Sequence, residues 1–230
     1  MQPREAPPPR LAYDEAYHRS VHAYLHDPRI YERFSRLNRQ RYFPRIGPQD
    51  AVFEYGCGLG QNLYGLPAGT KVGYEISEYA REFCAAKGIS TVAEFDDVPL
   101  GGFDAVISRH NLEHLEHPAE NLRRLRALLE PQGWLYLIVP EEPTRRVQDY
   151  EPDVNNHLYA WTPRTLANLL HHTGFATREI RREANSGLMF FSALADRSYC
   201  LFDRAVRAAD RVRWRPGEWV AEARPRDASA

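Results

Sequence analysis

The chain has little sulfur, no excess charge and no long apolar run. Its three cysteines, Cys57, Cys84 and Cys200, are too scattered for a disulfide framework or a zinc-ligand spacing. Thirty basic side chains stand against 31 acidic ones, so the charge balance draws the protein neither to nucleic acid nor to an anionic membrane. No apolar stretch approaches the roughly 18 residues of a spanning helix. The start, Met1-Gln2-Pro3-Arg4-Glu5 and then Pro7-Pro8-Pro9, is not the apolar core of a secretory signal. These absences lead to the expectation of a cytoplasmic globular protein. A length of 230 residues suits one α/β domain with small additions and is ample for a sizeable core. No internal repeat is present.

What is there centres on Ala51-Val52-Phe53-Glu54-Tyr55-Gly56-Cys57-Gly58-Leu59-Gly60. An apolar run with one acid ends in alternating glycines, as a buried strand does when it stops in a tight turn. Glycine tolerates positive φ and lets a ligand approach the backbone closely. In doubly wound sheets ligands bind beyond the carboxyl ends of the strands, near the first strand-to-helix turn. Glu75 stands 19 residues beyond Gly56, at the end of a second apolar run, Lys71-Val72-Gly73-Tyr74. An acid at that distance is placed to hold a pair of ribose hydroxyls. The spacing G-x-G-x-G differs from the G-x-G-x-x-G of dinucleotide folds.

Along the chain, residues 1–10 read as a disordered polar tail and 11–46 as helical. Tyr17, Val21, Tyr24 and Leu25 share one helix face, and Ile30, Phe34 and Leu37 another after Pro28. Strands are expected at 51–55, 70–75, 89–92, 103–108 and 134–139, with only one or two helical turns after Gly60. Ser77 caps one expected helix, Pro118 opens a second bearing Leu122, Leu125, Leu128 and Leu129, and Thr162-Pro163 opens a third. The stretches 175–180 and 187–195 read as closing strands, 198–212 as a helix, and 214–230 as a polar tail after a main domain at 47–213. Strands alternating with helices argue for a mostly parallel sheet covered on both faces.

The stretch Glu54-x-Gly56-Cys57-Gly58-x-Gly60, together with Glu75, Asp96-Asp97-Val98-Pro99 and Leu112-Glu113-His114…Pro118, resembles the class I S-adenosylmethionine-dependent methyltransferases, of small-molecule type and similar to the ubiquinone-pathway group. The resemblance covers roughly 52–175. It implies a Rossmann-like α/β sheet of seven strands, the last antiparallel, under an N-terminal helical lid. It implies S-adenosylmethionine as cofactor and S-adenosylhomocysteine as product. Glu54, Gly56, Cys57, Gly58, Gly60 and Asn62 would shape the amino-acid end of the site. Glu75 and Ile76 would flank the ribose, and Glu94 (or Asp96) with Phe95 the adenine. The Arg109 carbonyl would receive the cofactor amino group. Tyr13, Tyr17 and Arg33 of the lid would reach the methionine end.

Methyl transfer from a sulfonium is catalysis by positioning, with a base needed only where the acceptor keeps its proton. His157 and His110, at strand ends on the ligand side, are the candidate bases. Tyr17, Arg145, Asn156, Tyr159 and Trp161 are the candidate acceptor contacts, Arg145 and Arg146 suiting a phosphate or carboxylate. If residues 110–114 turn helically, His110, Glu113 and His114 share a face that could hold a divalent ion. The alternative, that they cap the following helix, is preferred, and no metal is expected. Cys57 reads as a small residue that fits its turn. Arg123 and Arg124 read as a solvated face, and His171 and His172 as a solvated pair. The acceptor expected is a small molecule methylated on oxygen or nitrogen, with no nucleic acid or membrane partner, by a monomer or homodimer. The alternatives are a protein or RNA methyltransferase acting with a partner, or a cofactor-binding scaffold without catalysis.

Overall fold

The computed structural model describes residues 13–142, 156–185, 187–212 and 216–226. The chain opens with helix α1 (Glu15–Val21), a single turn at Ala23–His26 and helix α2 (Pro28–Tyr42). Asp14 caps α1 by accepting the Tyr17 N–H, and Asp27 caps α2 by accepting those of Arg29 and Ile30. Pro28 therefore begins α2, in the first-turn position where its missing N–H costs nothing. Then follow β1 (Ala51–Tyr55), α3 (Gln61–Gly65), β2 (Thr70–Tyr74), α4 (Glu78–Ala86), β3 (Ser90–Val92), β4 (Phe103–Arg109), α5 (Pro118–Leu128) and β5 (Leu129–Pro140). The chain continues with α6 (Pro163–His172), β6 (Phe175–Glu183), α7 (Leu188–Phe191), α8 (Tyr199–Val212) and β7 (Glu218–Pro225). Thr162 and Thr165 close a reciprocal capping box at the start of α6. The short α3 after the glycine turn agrees with its Gly- and Pro-interrupted sequence.

The seven strands form one sheet in the order β3-β2-β1-β4-β5-β7-β6. All pair in parallel except β7, which runs antiparallel to both neighbours. Successive residues send side chains to opposite faces, as strand geometry requires. Phe53, Val106 and Leu137 pack beneath α5 and α6 with Leu122, Leu125, Leu166 and Leu170. Val52, Ile107 and Ile138 pack on the other face with Tyr42, Phe43, Leu63 and Cys84. Between β1 and β4 the strand order reverses, and the crevice beyond their carboxyl ends is where such sheets bind ligands.

Two expectations fail at the carboxyl end. The stretch 187–195 is no strand. Gly187 at φ 74° starts α7, and a further helical turn covers Ser192–Asp196. Leu188, Phe191, Leu194 and Ala195, at helical spacing, pack with Leu37, Phe202 and Val206. The seventh strand lies instead in the supposed polar tail, where Val220, Ala221 and Ala223 are buried in mid-sheet. Its acids are matched there: Glu222 pairs with Arg45 and with Arg181 (2.8 Å), and Glu218 with Arg109 (2.8 Å). The inward side of α1 differs too. Val21 and Tyr24 are exposed, and the buried residue of that helix is His18. Among the described residues no helix is long and apolar enough to cross a membrane.

Candidate functional site

The turn leaving β1 is built on left-handed glycines: Gly56 at φ 66°, Gly58 at 53° and Gly60 at 73°. At Gly56 a side chain is also excluded by space, because a Cβ there would lie 2.0 Å from Asn111 Oδ1. Beneath the turn Glu54 is buried. Asn62 donates to its Oε1 at 2.6 Å, while Asn38 of α2 donates to Asn62 at 2.8 Å. Asn62 therefore faces inward and joins the lid helix to β1. Glu54 Oε2 is buried without a hydrogen-bond partner, and burial pushes the carboxyl up to about 8. The Cys57 side chain lies under β2, its Sγ where a Cβ on Gly73 would come within 2.4 Å. The neighbouring Cys84 thiol and burial hold the Cys57 thiol well above its usual range, as befits a packing residue.

Glu75 follows β2 and reaches across to the turn. Its Oε2 accepts the Gly58 N–H at 2.8 Å and its Oε1 the Ser77 N–H at 2.9 Å. Burial raises its pKa, against the pull of those two backbone bonds. Beside it Ile76 is 58% exposed, an apolar side chain with open surface around it. Phe95 packs edge-on against Tyr55 and Tyr74. Glu94 is exposed at the start of the same turn. Asp96 points away, paired with Arg124, whose guanidinium lies 4.2 Å over the Phe95 ring. Arg124 is thus a partner of this wall, where the sequence pattern suggested a solvated face.

At the end of β4 the Arg109 carbonyl accepts from Asn111 Nδ2 at 2.7 Å, and the same nitrogen reaches the carbonyls of Tyr55 (2.9 Å) and Gly56 (3.5 Å). The Arg109 guanidinium turns inward to Glu218 and lies 4.8 Å from the centre of the Tyr42 ring. Tyr42 also donates to Glu218. Burial alone would raise the Glu218 carboxyl, but Arg109 and His110 hold it well below the usual range. His110 has φ 54°, a conformation uncommon outside glycine, and its Nε2 lies 2.6 Å from Glu218 Oε1. A small cleft of about 100 Å³ beside the turn is lined by Tyr24, Phe34, Asn38, Tyr42, Gln61 and Arg109.

One turn further on, Glu113 is fully buried and neither carboxylate oxygen has a hydrogen-bond partner. Three histidines surround its Oε1: His110 Nδ1 at 3.8 Å, His114 Nε2 at 3.9 Å and His157 Nε2 at 4.0 Å. His157 is brought there by its loop, because the Glu113 carbonyl accepts the Leu158 and Tyr159 N–H groups at 2.8 and 3.2 Å. Glu142 holds the other ring nitrogen of His157 at 2.5 Å. Asn156 sits at φ 50° before it. Tyr159 stacks on Trp161 with ring centres 5.4 Å apart and donates to the Glu116 carbonyl at 3.2 Å. Arg145 and Arg146 lie outside the described residues.

In the lid, Tyr13 and Tyr17 pack edge-on at 5.1 Å, and Tyr13 lies 6.3 Å from the His114 ring. Burial raises the Tyr13 phenol, and the charges of Glu113 and Glu75 add to the rise. Arg33 does not reach this region; it is tied to Asp196 at 2.7 Å. Sequence reasoning missed Glu218, Asn111, Glu142 and the buried His18. Glu218 and Glu142 carry no local signal, and Asn111 gains its role only from strands brought together by the fold.

None of the curated proteins matches the chain. Solved structures share its fold. A methyltransferase dependent on S-adenosylmethionine from Archaeoglobus fulgidus matches 82% of this chain and 92% of its own at 20% identity and TM-score 0.55. Geranyl diphosphate C-methyltransferase from Streptomyces coelicolor A3(2) matches 81% and 74% at 13% identity and TM-score 0.56. The [4+2]-cyclase SpnF matches 85% and 81% at 16% identity and TM-score 0.58. The family model described as a methyltransferase domain matches residues 24–180, well over half of the chain. That span holds β1 to β5, the glycine turn, Glu75 and the Glu113 cluster: the chain belongs to this family of methyltransferase domains.

Proposed function

We propose that the protein binds S-adenosylmethionine and transfers its methyl group to a small-molecule acceptor through a hydroxyl or amine. The observation that carries this reading is the convergence of three carbonyls, of Tyr55, Gly56 and Arg109, on one N–H donor, Asn111 Nδ2. Such a trio is a seat for an ammonium group, which has three donors and no acceptor. The Asn111 amide occupies the seat, where the three carbonyls would hold the amino group of the cofactor in its place. Glu75 suits the ribose: each carboxylate oxygen accepts one backbone N–H and keeps a lone pair for a hydroxyl. Ile76 and Phe95 offer apolar surface to the adenine, and Glu94 an acceptor for its amino group. Cys57, Asn62 and Glu54 support the turn from beneath.

Bound S-adenosylmethionine supplies a methyl group on a sulfonium, activated so that alignment does most of the work. The chain's part is to hold the acceptor in line and to take its proton. His110 is suited to the proton, since Glu218 holds Nε2 and leaves Nδ1 as the basic nitrogen. Its side chain is 41% exposed against 17% for His157. Tyr17, Tyr159 and Trp161 border the acceptor side. The balanced charge supports a small acceptor over nucleic acid.

The test is methyl-labelled S-adenosylmethionine incubated with the protein and a cell extract, followed by separation of small molecules from macromolecules. Label in the small-molecule fraction supports the reading. Label only in protein or RNA, or in neither, contradicts it.

A further inference from the structure

We propose that Glu113, His114 and His157 bind a divalent transition-metal cation of the zinc type, with an open coordination position toward His110. One donor atom from each of these three residues lies within 4.8 Å of the others. Around an ion bonded at about 2.0–2.2 Å the donors stand roughly 3.3 Å apart, so a contraction of at most about 1.5 Å closes the set. At 3.8–4.0 Å the histidines are too far from Glu113 to hydrogen-bond it. A buried carboxylate with both oxygens unpartnered is costly, and a cation at this point removes the cost.

The surroundings fit the same reading. Glu142 on His157 Nδ1 fixes which ring nitrogen faces Glu113, the carboxylate–histidine pairing that orients metal ligands. The double hydrogen bond from Leu158 and Tyr159 to the Glu113 carbonyl fastens the His157 loop beside the turn that carries the other two residues. Two nitrogen donors and one oxygen suit zinc-like ions, whereas magnesium prefers oxygen ligands. Three protein ligands leave a fourth position open, as sites that bind substrate do. Resting on the methyl-transfer reading, that position would take an acceptor hydroxyl, lower its pKa, and leave its proton to His110 Nδ1, 3.8 Å from Glu113 Oε1.

The experiment titrates the chelator-stripped full chain with Co2+, followed by visible absorption, and with Zn2+, followed by calorimetry. One equivalent is expected, with the intense absorption of a low-coordinate Co2+ site that Zn2+ abolishes and Mg2+ does not. Glu113→Gln and His157→Ala should each lose stoichiometric binding, and Glu142→Gln should weaken it 10- to 100-fold. His172→Ala, an exposed histidine elsewhere, should bind as the parent does. Titration of each variant with S-adenosylhomocysteine shows that its fold is intact. Absence of stoichiometric binding by the parent overturns the proposal, as does undiminished binding by Glu113→Gln and His157→Ala. Metal binding without S-adenosylhomocysteine binding would leave the site standing and sink the cofactor reading. The reverse would sink the metal site alone.

Discussion

Arg109 at the end of β4 and Glu218 at the start of β7 form a buried ion pair, 2.8 Å apart. It joins the strand beside the glycine turn to the antiparallel strand, and Tyr42 and His110 share the same carboxylate. Removing one member of a buried pair leaves the other charged and uncompensated. Glu218→Ala should therefore lose about 3–5 kcal/mol of stability in chemical denaturation. Because Glu218 titrates well below its usual range, its contribution is complete above that range and is lost as the pH falls below it and through the depressed folded value. A variant as stable as the parent at neutral pH would show that the pair does not hold the strands together.

Glu75 offers a second test. In Glu75→Ala the Gly58 and Ser77 N–H groups lose their acceptor, and a ribose would lose its charged partner. S-adenosylhomocysteine should bind more weakly by about 1.5–3 kcal/mol, the range for hydrogen bonds to a charged group. Equal affinity in a folded variant would remove Glu75 from the cofactor site.

Asn111 makes the opposite case. If its amide only occupies the ammonium seat, Asn111→Ala removes a competitor and affinity for S-adenosylhomocysteine should hold or rise, by up to about 1 kcal/mol. A loss of tenfold or more, read by the same titration, would make Asn111 part of the bound site rather than its occupant.

The lid histidines give a pH prediction. Burial, helped by the charges of His18 and His110, pushes His22 down to about 4 from its ordinary 6.5, and burial also lowers His18. Below 6.5 the unfolded chain then binds more protons than the folded one. The histidine contribution should be level above about pH 6.5 and be lost between pH 6.5 and 4, by on the order of 1–3 kcal/mol, opposite in sign to that of Glu54, whose raised carboxyl loses stability as the pH climbs toward 8. Thermal melting across this window checks it, and His22→Gln should flatten the slope. A His22→Gln variant with the same pH dependence as the parent between about pH 7.5 and 4.5 would contradict the burial of a neutral His22 under the lid.

The parts legible in the sequence were those with local causes. The apolar run of β1, its left-handed glycines and Glu75 at the end of the next strand all report on their own neighbourhood. Strand β7 was illegible because Glu218 and Glu222 resemble surface charges until Arg109, Arg45 and Arg181 come to meet them. The stretch 187–195 misled for the converse reason: its Leu and Phe residues are apolar enough for a strand, but their spacing serves a helix packed on α8. Glu113 stood within a recognisable segment, yet its significance depends on His157, which only the loop's hydrogen bonds to the Glu113 carbonyl bring within 4.0 Å.

The central claim is that the crevice between β1 and β4 is a site for S-adenosylmethionine. The most direct measurement is calorimetric titration of the purified protein with S-adenosylhomocysteine. One site of micromolar affinity is expected. A folded protein that takes up no ligand at millimolar concentration would contradict it.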